Sequence, residues 1–266
     1  MLLIYILAIL ADATTETRMY EAGSLLPPFV ALNGVSESFL FEGQYLLKTR
    51  SRSDVVQLGY NSRNSTGLLK TKEPIKVKDF SFSIDFSLNF VSQGGKNAGF
   101  GFWLIQNPQN IKGFYGNSPN FKGIGVVIDI EGGTPYIRFI DSSASKHQSK
   151  ALRSEAKALN LKFERKDKKI LVKFEEYDKE HVLFSGEVKI PKELYFAVTS
   201  FSGKSEAFIS INRIVANKIL TMNKKIYVKG GKRKLSSVVL VLGSVTILGL
   251  VYYLYSKAPK EMAYKN

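Results

Sequence analysis

The segment FSFSIDFSLNF, from Phe80 to Phe90, alternates strictly between apolar and polar residues. Successive side chains of a strand point to opposite faces of a sheet, so this period of two predicts a strand with one buried face. Only residues 149–160 suggest a short helix. Many short strands separated by turns predict an all-β protein and favour an antiparallel β-sandwich. Further strands are expected at 99–106, 123–130, 136–141, 159–165, 169–175, 182–190, 194–200 and 207–214.

Both ends of the chain carry apolar segments of a different kind. Residues 235–255 contain no charge, and about 20 apolar residues suffice to cross a bilayer, so they predict one transmembrane helix, followed by a tail at 256–266. Near the N-terminus a shorter apolar run, residues 2–10, precedes Ala11-Asp12-Ala13, a small-x-small pattern. This pattern predicts a signal peptide over residues 1–13, with cleavage after Ala13.

The orientation of the predicted helix depends on two rules that disagree. Six basic residues and no acidic residue lie between positions 224 and 234, which by the positive-inside rule favours a cytosolic domain and a tail-anchored protein. A cleavable signal peptide would instead translocate the whole preceding domain, largely regardless of charge. We therefore expect a lumenal domain at 14–216, a basic juxtamembrane stalk at 217–234, a type I membrane protein and a cytosolic tail.

Composition excludes several classes of function. The net charge is +15, but lysines are interleaved with acidic residues rather than gathered in a stripe, so nucleic-acid binding is not expected. The chain has no cysteine, which excludes disulfides, cysteine nucleophiles and cysteine-zinc sites. Asn64-Ser65-Thr66 is an acceptor triplet for N-glycosylation, which requires a lumenal domain.

Two segments resemble a known family. Residues 99–103 read GFGFW, and residues 115–129 read YGNSPNFKGIGVVID. They resemble the L-type lectin domain of the ER-to-Golgi cargo receptors, whose pattern is G-D-G-h-x-h-W followed by F-G-x-x-x-N-F-x-G-h-x-h-x-h-D, where h is apolar. Weaker matches follow in the family's order, and the resemblance covers roughly residues 26–216. It implies a concanavalin-like jelly-roll sandwich. The weaker matches are residues 41–43, 135–137 and 191–196.

The resemblance also implies a calcium ion that shapes the sugar-binding loops. Asp129 stands where the family has its first metal carboxylate, but the asparagine ligand that should follow is absent. Further on, Lys146-His147 replaces the family's Asp-His pair, which puts a positive charge where calcium needs a negative one. We expect no cofactor: calcium is possible by resemblance but disfavoured by these residues.

The sugar site implied by the resemblance is also altered. Ala98 takes the place of the sugar-contacting aspartate of G-D-G, and the loop that closes the pocket is shortened around Ser202-Gly203. The remaining carbohydrate-binding candidates are Asp129, His147, Ser202 and Gly203, which could equally be ordinary strand-end and turn residues. Trp103 is expected in the core rather than as a sugar-stacking platform.

Catalysis is not expected. The one close pair of carboxylates, Asp129 and Glu131, could share a strand face as in related glycosidases, but no third acid or catalytic triad accompanies it.

Together these features predict a type I membrane lectin-like cargo receptor of the endoplasmic reticulum and Golgi, with degenerate calcium and sugar sites. It would bind high-mannose glycoprotein or protein cargo, and other lectin-like receptors are further candidate partners. The alternative is a structural or adapter membrane protein that contacts partners through the sandwich surface without binding sugar. The tail has neither the dilysine nor the diaromatic ending common in the family, so coat binding is not expected.

Overall fold

The computed structural model describes residues 14–29, 36–50, 53–59, 64–90, 98–131, 134–142, 149–152, 158–203 and 207–222. The predicted signal peptide (1–13), transmembrane helix (235–255) and cytosolic tail (256–266) lie outside these ranges, as does His147. Within them, no helix is both long enough and apolar enough to span a membrane.

Fifteen strands and two short 3₁₀ segments, Glu21–Gly23 and Phe114–Gly116, make up the secondary structure of the described residues. The strands are β1 (Thr14–Met19), β2 (Phe39–Gly43), β3 (Tyr45–Arg50), β4 (Ser53–Leu58), β5 (Thr66–Thr71), β6 (Phe80–Phe90), β7 (Ala98–Ile105), β8 (Gly123–Glu131), β9 (Thr134–Asp141), β10 (Ser149–Ala151), β11 (Leu159–Lys166), β12 (Lys169–Glu176), β13 (Lys179–Glu187), β14 (Tyr195–Phe201) and β15 (Ala207–Met222).

These strands form two antiparallel sheets. The eight-stranded sheet has the order β13-β12-β11-β6-β15-β4-β3, and β1 pairs with the second half of β15. The seven-stranded sheet has the order β10-β9-β8-β7-β14-β5-β2. This arrangement confirms the predicted all-β antiparallel sandwich.

The main core lies between the two sheets and is rich in phenylalanine. The apolar residues of β6 from Phe80 to Leu88 are buried, as their period of two predicts, and they meet the inward residues of the other sheet. The rings of Phe86 and Phe102 lie 4.8 Å apart, and those of Phe82 and Phe196 stack at the same separation. Aromatic pairs of this kind contribute roughly 0.5–1.5 kcal/mol beyond the area that they bury.

Two sequence predictions about the fold are wrong. The described ends of the expected helix at 149–160 are strands instead: β10 pairs with β9, and β11 begins at Leu159, where buried and partly exposed residues alternate. Sheet pairing here overrides local helix preference. In addition, β15 continues to Met222 because β1 pairs with its residues 217–222, so the domain runs past 216 into the region assigned to the stalk.

Candidate functional site

Strand register brings several predicted site residues to one end of the seven-stranded sheet. Thr66 pairs with Phe201, Phe201 with Gly99, Gly99 with Asp129, and Asp129 with Tyr136. These five residues therefore form one row across β5, β14, β7, β8 and β9. Positions 202 and 203 continue directly from the β14 member of this row, so they lie at the same end of the sheet as Asp129, two strands away.

A second apolar cluster covers the outer face of this sheet, opposite the main core. It is covered in turn by the segment 106–122, whose rings pack on Trp103: the ring centroid of Phe121 lies 5.2 Å away and that of Phe114 lies 6.2 Å away. Tyr115 and Ile140 pack at its margin. The buried members of the cluster are Leu68, Trp103, Ile105, Val127 and Ala197.

Trp103 is fully buried in this cluster. Its indole Nε1 donates a hydrogen bond of 2.7 Å to the Thr199 hydroxyl, which in turn donates to the main-chain carbonyl of Tyr115. The prediction that Trp103 packs inside the protein rather than serving as a stacking platform is confirmed. It lies in the outer cluster, however, and not between the sheets.

Glycines allow the aromatic rings to approach the sheet backbone closely. A Cβ atom on Gly99 would lie 2.6 Å from the Tyr115 ring, and one on Gly125 would lie 2.6 Å from the Trp103 ring. Because real side chains do not tolerate such distances, these positions need glycine for the rings to lie on the strands.

Asp129 is held by two side chains that sequence reasoning did not identify. The Arg138 guanidinium on β9 lies 3.0 Å from the Asp129 carboxylate, with side-chain exposures of 40% and 20% respectively. Arg138 also donates to the Tyr115 hydroxyl, and its guanidinium lies 5.8 Å from the centre of the Tyr115 ring. One cation thus contacts both β8 and the segment that covers the outer cluster.

The Tyr115 hydroxyl remains protonated in this setting. Burial, followed by the hydrogen bond to Asp129, raises the pKa of Tyr115 to about 12, although the neighbouring Arg138 acts in the opposite direction. At neutral pH the phenol therefore donates to the Asp129 carboxylate while its oxygen accepts from Arg138. The three groups form a closed polar cluster, which we call the Asp129-Arg138-Tyr115 cluster.

The described residues around Asp129 do not form a donor set that suits a calcium ion. Among the residues that the structure describes, no group of three or more His, Cys, Asp or Glu side chains is placed to hold a metal. Calcium requires about six to eight oxygen ligands, several of them carboxylates. The carboxylate of Asp129 is already paired with a guanidinium.

The Ser202 side chain has a structural role at its end of the sheet. It is fully buried, its hydroxyl lies 2.9 Å from that of Ser65, and it accepts a hydrogen bond from the Ser65 main-chain N–H. The carbonyl of Gly203 accepts from the main-chain N–H of Asn64, the exposed residue of the glycosylation triplet. The structure thus ties Ser202 into the fold and leaves the main chain of Gly203 beside the predicted glycosylation site.

Tyr115 and Arg138 carry weak sequence signals. Tyr115 stands where the resembled pattern has phenylalanine, which adds a hydroxyl, and Arg138 is the one charged residue within the run PYIRFI. Their meeting depends on the pairing of β8 with β9 and on the path of the segment 106–122. Neither feature is visible in the local pattern.

Comparison with known proteins agrees with this fold. A model of the legume-like lectin family matches residues 16–225. The exoplasmic/lumenal domain of VIP36 in its Ca2+/Man2-bound form is 14% identical, with a TM-score of 0.64 over 78% of this chain and 92% of that one. The legume lectin-like domain from Entamoeba histolytica is 15% identical, with a TM-score of 0.62 over 76% and 99% of the two chains.

The carbohydrate recognition domain of Emp47p is 18% identical, with a TM-score of 0.61 over 76% of this chain and 97% of that one. No curated protein matches the chain in sequence. These structural likenesses concern the fold, and the family match covers most of the chain. The chain therefore belongs to the legume-like lectin family, as the resemblance in residues 99–129 indicates.

Proposed function

We propose that this protein is a lectin-like cargo receptor of the early secretory pathway that binds glycoprotein or protein cargo. The observation that carries the proposal is the position of Asp129, a partly exposed carboxylate at the end of the outer face of a lectin sheet. It lies where the resemblance places a carboxylate of the sugar-binding loops. We propose no catalytic role, because the matched family is a lectin family and Asp129 is paired with Arg138.

The exposed part of the site suits sugar hydroxyls. A hydroxyl both donates and accepts hydrogen bonds, and here the Asp129 carboxylate accepts while the Arg138 guanidinium donates. The site is nevertheless reduced, because Ala98 supplies no carboxylate and the Ser202 hydroxyl is engaged with Ser65. Gly203 could contribute only main-chain contacts.

We also propose that the site works without calcium. Arg138 would face a second cation at Asp129 across a short distance, and like charges repel more strongly in partly buried surroundings than in bulk water. Arg138 therefore disfavours calcium independently of Lys146-His147, which lies outside the described residues.

The alternative is an adapter that contacts proteins and never binds sugar. It is favoured by the same loss of sugar-binding groups, namely the missing carboxylate at Ala98 and the engaged hydroxyl of Ser202.

A glycan array probed with the full chain separates the two functions, provided that the detergent has no sugar head group. We expect retention of mannose-containing glycans and a loss of about 10-fold or more in Asp129→Ala, because hydrogen bonds to charged groups contribute roughly 1.5–3 kcal/mol.

The matched control for this array is Asp85→Ala, which removes the carboxylate of the Arg213–Asp85 pair on the other sheet. It should retain wild-type binding. If the wild-type chain retains no glycan while remaining folded, the adapter function replaces the lectin function.

We further propose the type I topology, with residues 235–255 as the anchor and the domain in the lumen of the endoplasmic reticulum or Golgi. The predicted signal peptide supports it, and the similar VIP36 domain is described as exoplasmic/lumenal. In sealed microsomes, added protease should leave the domain intact until detergent is supplied. Digestion of the domain without detergent would show a cytosolic domain instead.

A further inference from the structure

We propose that Arg138 is a built-in counter-ion that organises the outer face of the sheet, so that the order of the site does not depend on any cation in solution. The proposal goes beyond the proposed function, because it concerns how the site is assembled and holds whether or not a glycan binds. The Arg138 guanidinium, on β9, compensates the charge of the Asp129 carboxylate, as a metal ion would do.

Arg138 belongs to β9, Asp129 to β8, and Tyr115 to the segment 106–122, so the guanidinium joins three stretches of chain. It lies one strand from Asp129 and on the same face, since Arg138 pairs with Val127, two positions before Asp129. The contact is therefore fixed by sheet register rather than by the conformation of a free loop.

The Asp129 carboxylate is largely removed from solvent, with a side-chain exposure of 20%. Its negative charge must therefore be compensated by a cation or by hydrogen bonds. Asp129 has both, from the Arg138 guanidinium and from the Tyr115 hydroxyl. The planar guanidinium presents several donors in fixed directions, which suits simultaneous contacts with a carboxylate and a phenol. A metal ion would have to displace this group and then remain next to its charge.

The Asp129-Arg138-Tyr115 cluster is connected to the buried tryptophan through Thr199. The ring of Tyr115 lies on Gly99. The main-chain carbonyl of Tyr115 accepts a hydrogen bond from the Thr199 hydroxyl, which itself accepts one from the Trp103 indole. Loss of the contact between Arg138 and the Tyr115 hydroxyl should therefore weaken the packing of the segment 106–122 on Trp103. Because Trp103 is the only tryptophan of the chain, its fluorescence reports on this segment without any label.

The experiment measures the emission maximum and acrylamide quenching of Trp103 in the full chain in detergent, in EDTA and in excess calcium. Wild-type emission should be the same in both buffers. Arg138→Met retains the length of the side chain but removes its charge, and we expect a red shift and stronger quenching. The matched control is Arg213→Met, which breaks the Arg213–Asp85 pair on the other sheet and should leave the emission unchanged.

Two results would overturn the proposal: a wild-type emission that shifts between calcium and EDTA, or Arg138→Met emission that coincides with that of Arg213→Met. If Arg138→Met does not unfold cooperatively, and so is not properly folded, Tyr115→Phe tests the proposal instead. This variant removes only the hydroxyl that Arg138 contacts. It should give a smaller red shift, and unchanged emission would contradict the proposal. Because no glycan is present, these outcomes are separate from success or failure of the glycan array.

Discussion

Replacing Trp103 with alanine is expected to lower the free energy of unfolding by about 3–5 kcal/mol, the usual cost of deleting a large buried aromatic side chain. The ring is fully buried between the sheet and the segment 106–122, and it contacts Phe114 and Phe121. Its loss would also leave the Thr199 hydroxyl without the indole donor. Urea unfolding followed by far-ultraviolet circular dichroism measures the effect, because the variant has no tryptophan fluorescence.

Trp103→Phe is the matched control for this prediction. It retains an aromatic ring in the outer cluster but removes the indole N–H, and a typical hydrogen bond contributes roughly 0.5–1.5 kcal/mol to stability. The phenylalanine variant should therefore lie between the wild type and the alanine variant. Equal stability of the wild type and the alanine variant would mean that the segment 106–122 does not pack on the sheet.

Gly101→Ala is expected to destabilise the protein by about 1–3 kcal/mol, as overpacking of a filled site commonly does. The added Cβ atom would lie 2.5 Å from Cζ2 of Trp103, and the ring also packs against Phe121. The indole must therefore shift, which should also move its emission to longer wavelength. Denaturant unfolding and the emission spectrum measure the two effects on the same sample.

Gly186→Ala on β13 is the control for the glycine prediction. Its Cβ atom would meet the Phe184 ring at 3.1 Å, so this neighbour needs to move by only a few tenths of an ångström. The stability of this variant should remain close to that of the wild type. If Gly101→Ala and Gly186→Ala are equally stable, the close packing of the Trp103 ring on the backbone does not require glycine at position 101.

The fold was largely predictable because its strongest signal is local. The period of two from Phe80 to Phe90 matches β6 at both ends, and the burial of Phe80, Phe82 and Phe86 follows from that period. The extent of β15 was not predictable, since its last residues, 219–222, pair with β1 after the pairing with β6 has ended at Lys218. For the same reason β10, a short strand that pairs with β9, was taken for part of a helix.

The site was predictable only in outline. The family pattern led to Asp129 and to the turn after β14, and sheet register does place both at one end of the same sheet. The chemistry around Asp129 was not predictable, because Arg138 and Tyr115 reach it from a neighbouring strand and from a covering segment. The engagement of Ser202 with Ser65 is likewise a contact between distant parts of the chain.

The proposed glycan site of this legume-like lectin would be held together by Arg138 instead of by calcium. The most direct test is the glycan array performed with the full chain in parallel, in excess calcium and in EDTA. We expect the same mannose-containing glycans to be retained equally in both buffers and to be lost in Asp129→Ala. Mannose binding that appears in calcium and disappears in EDTA would contradict this expectation.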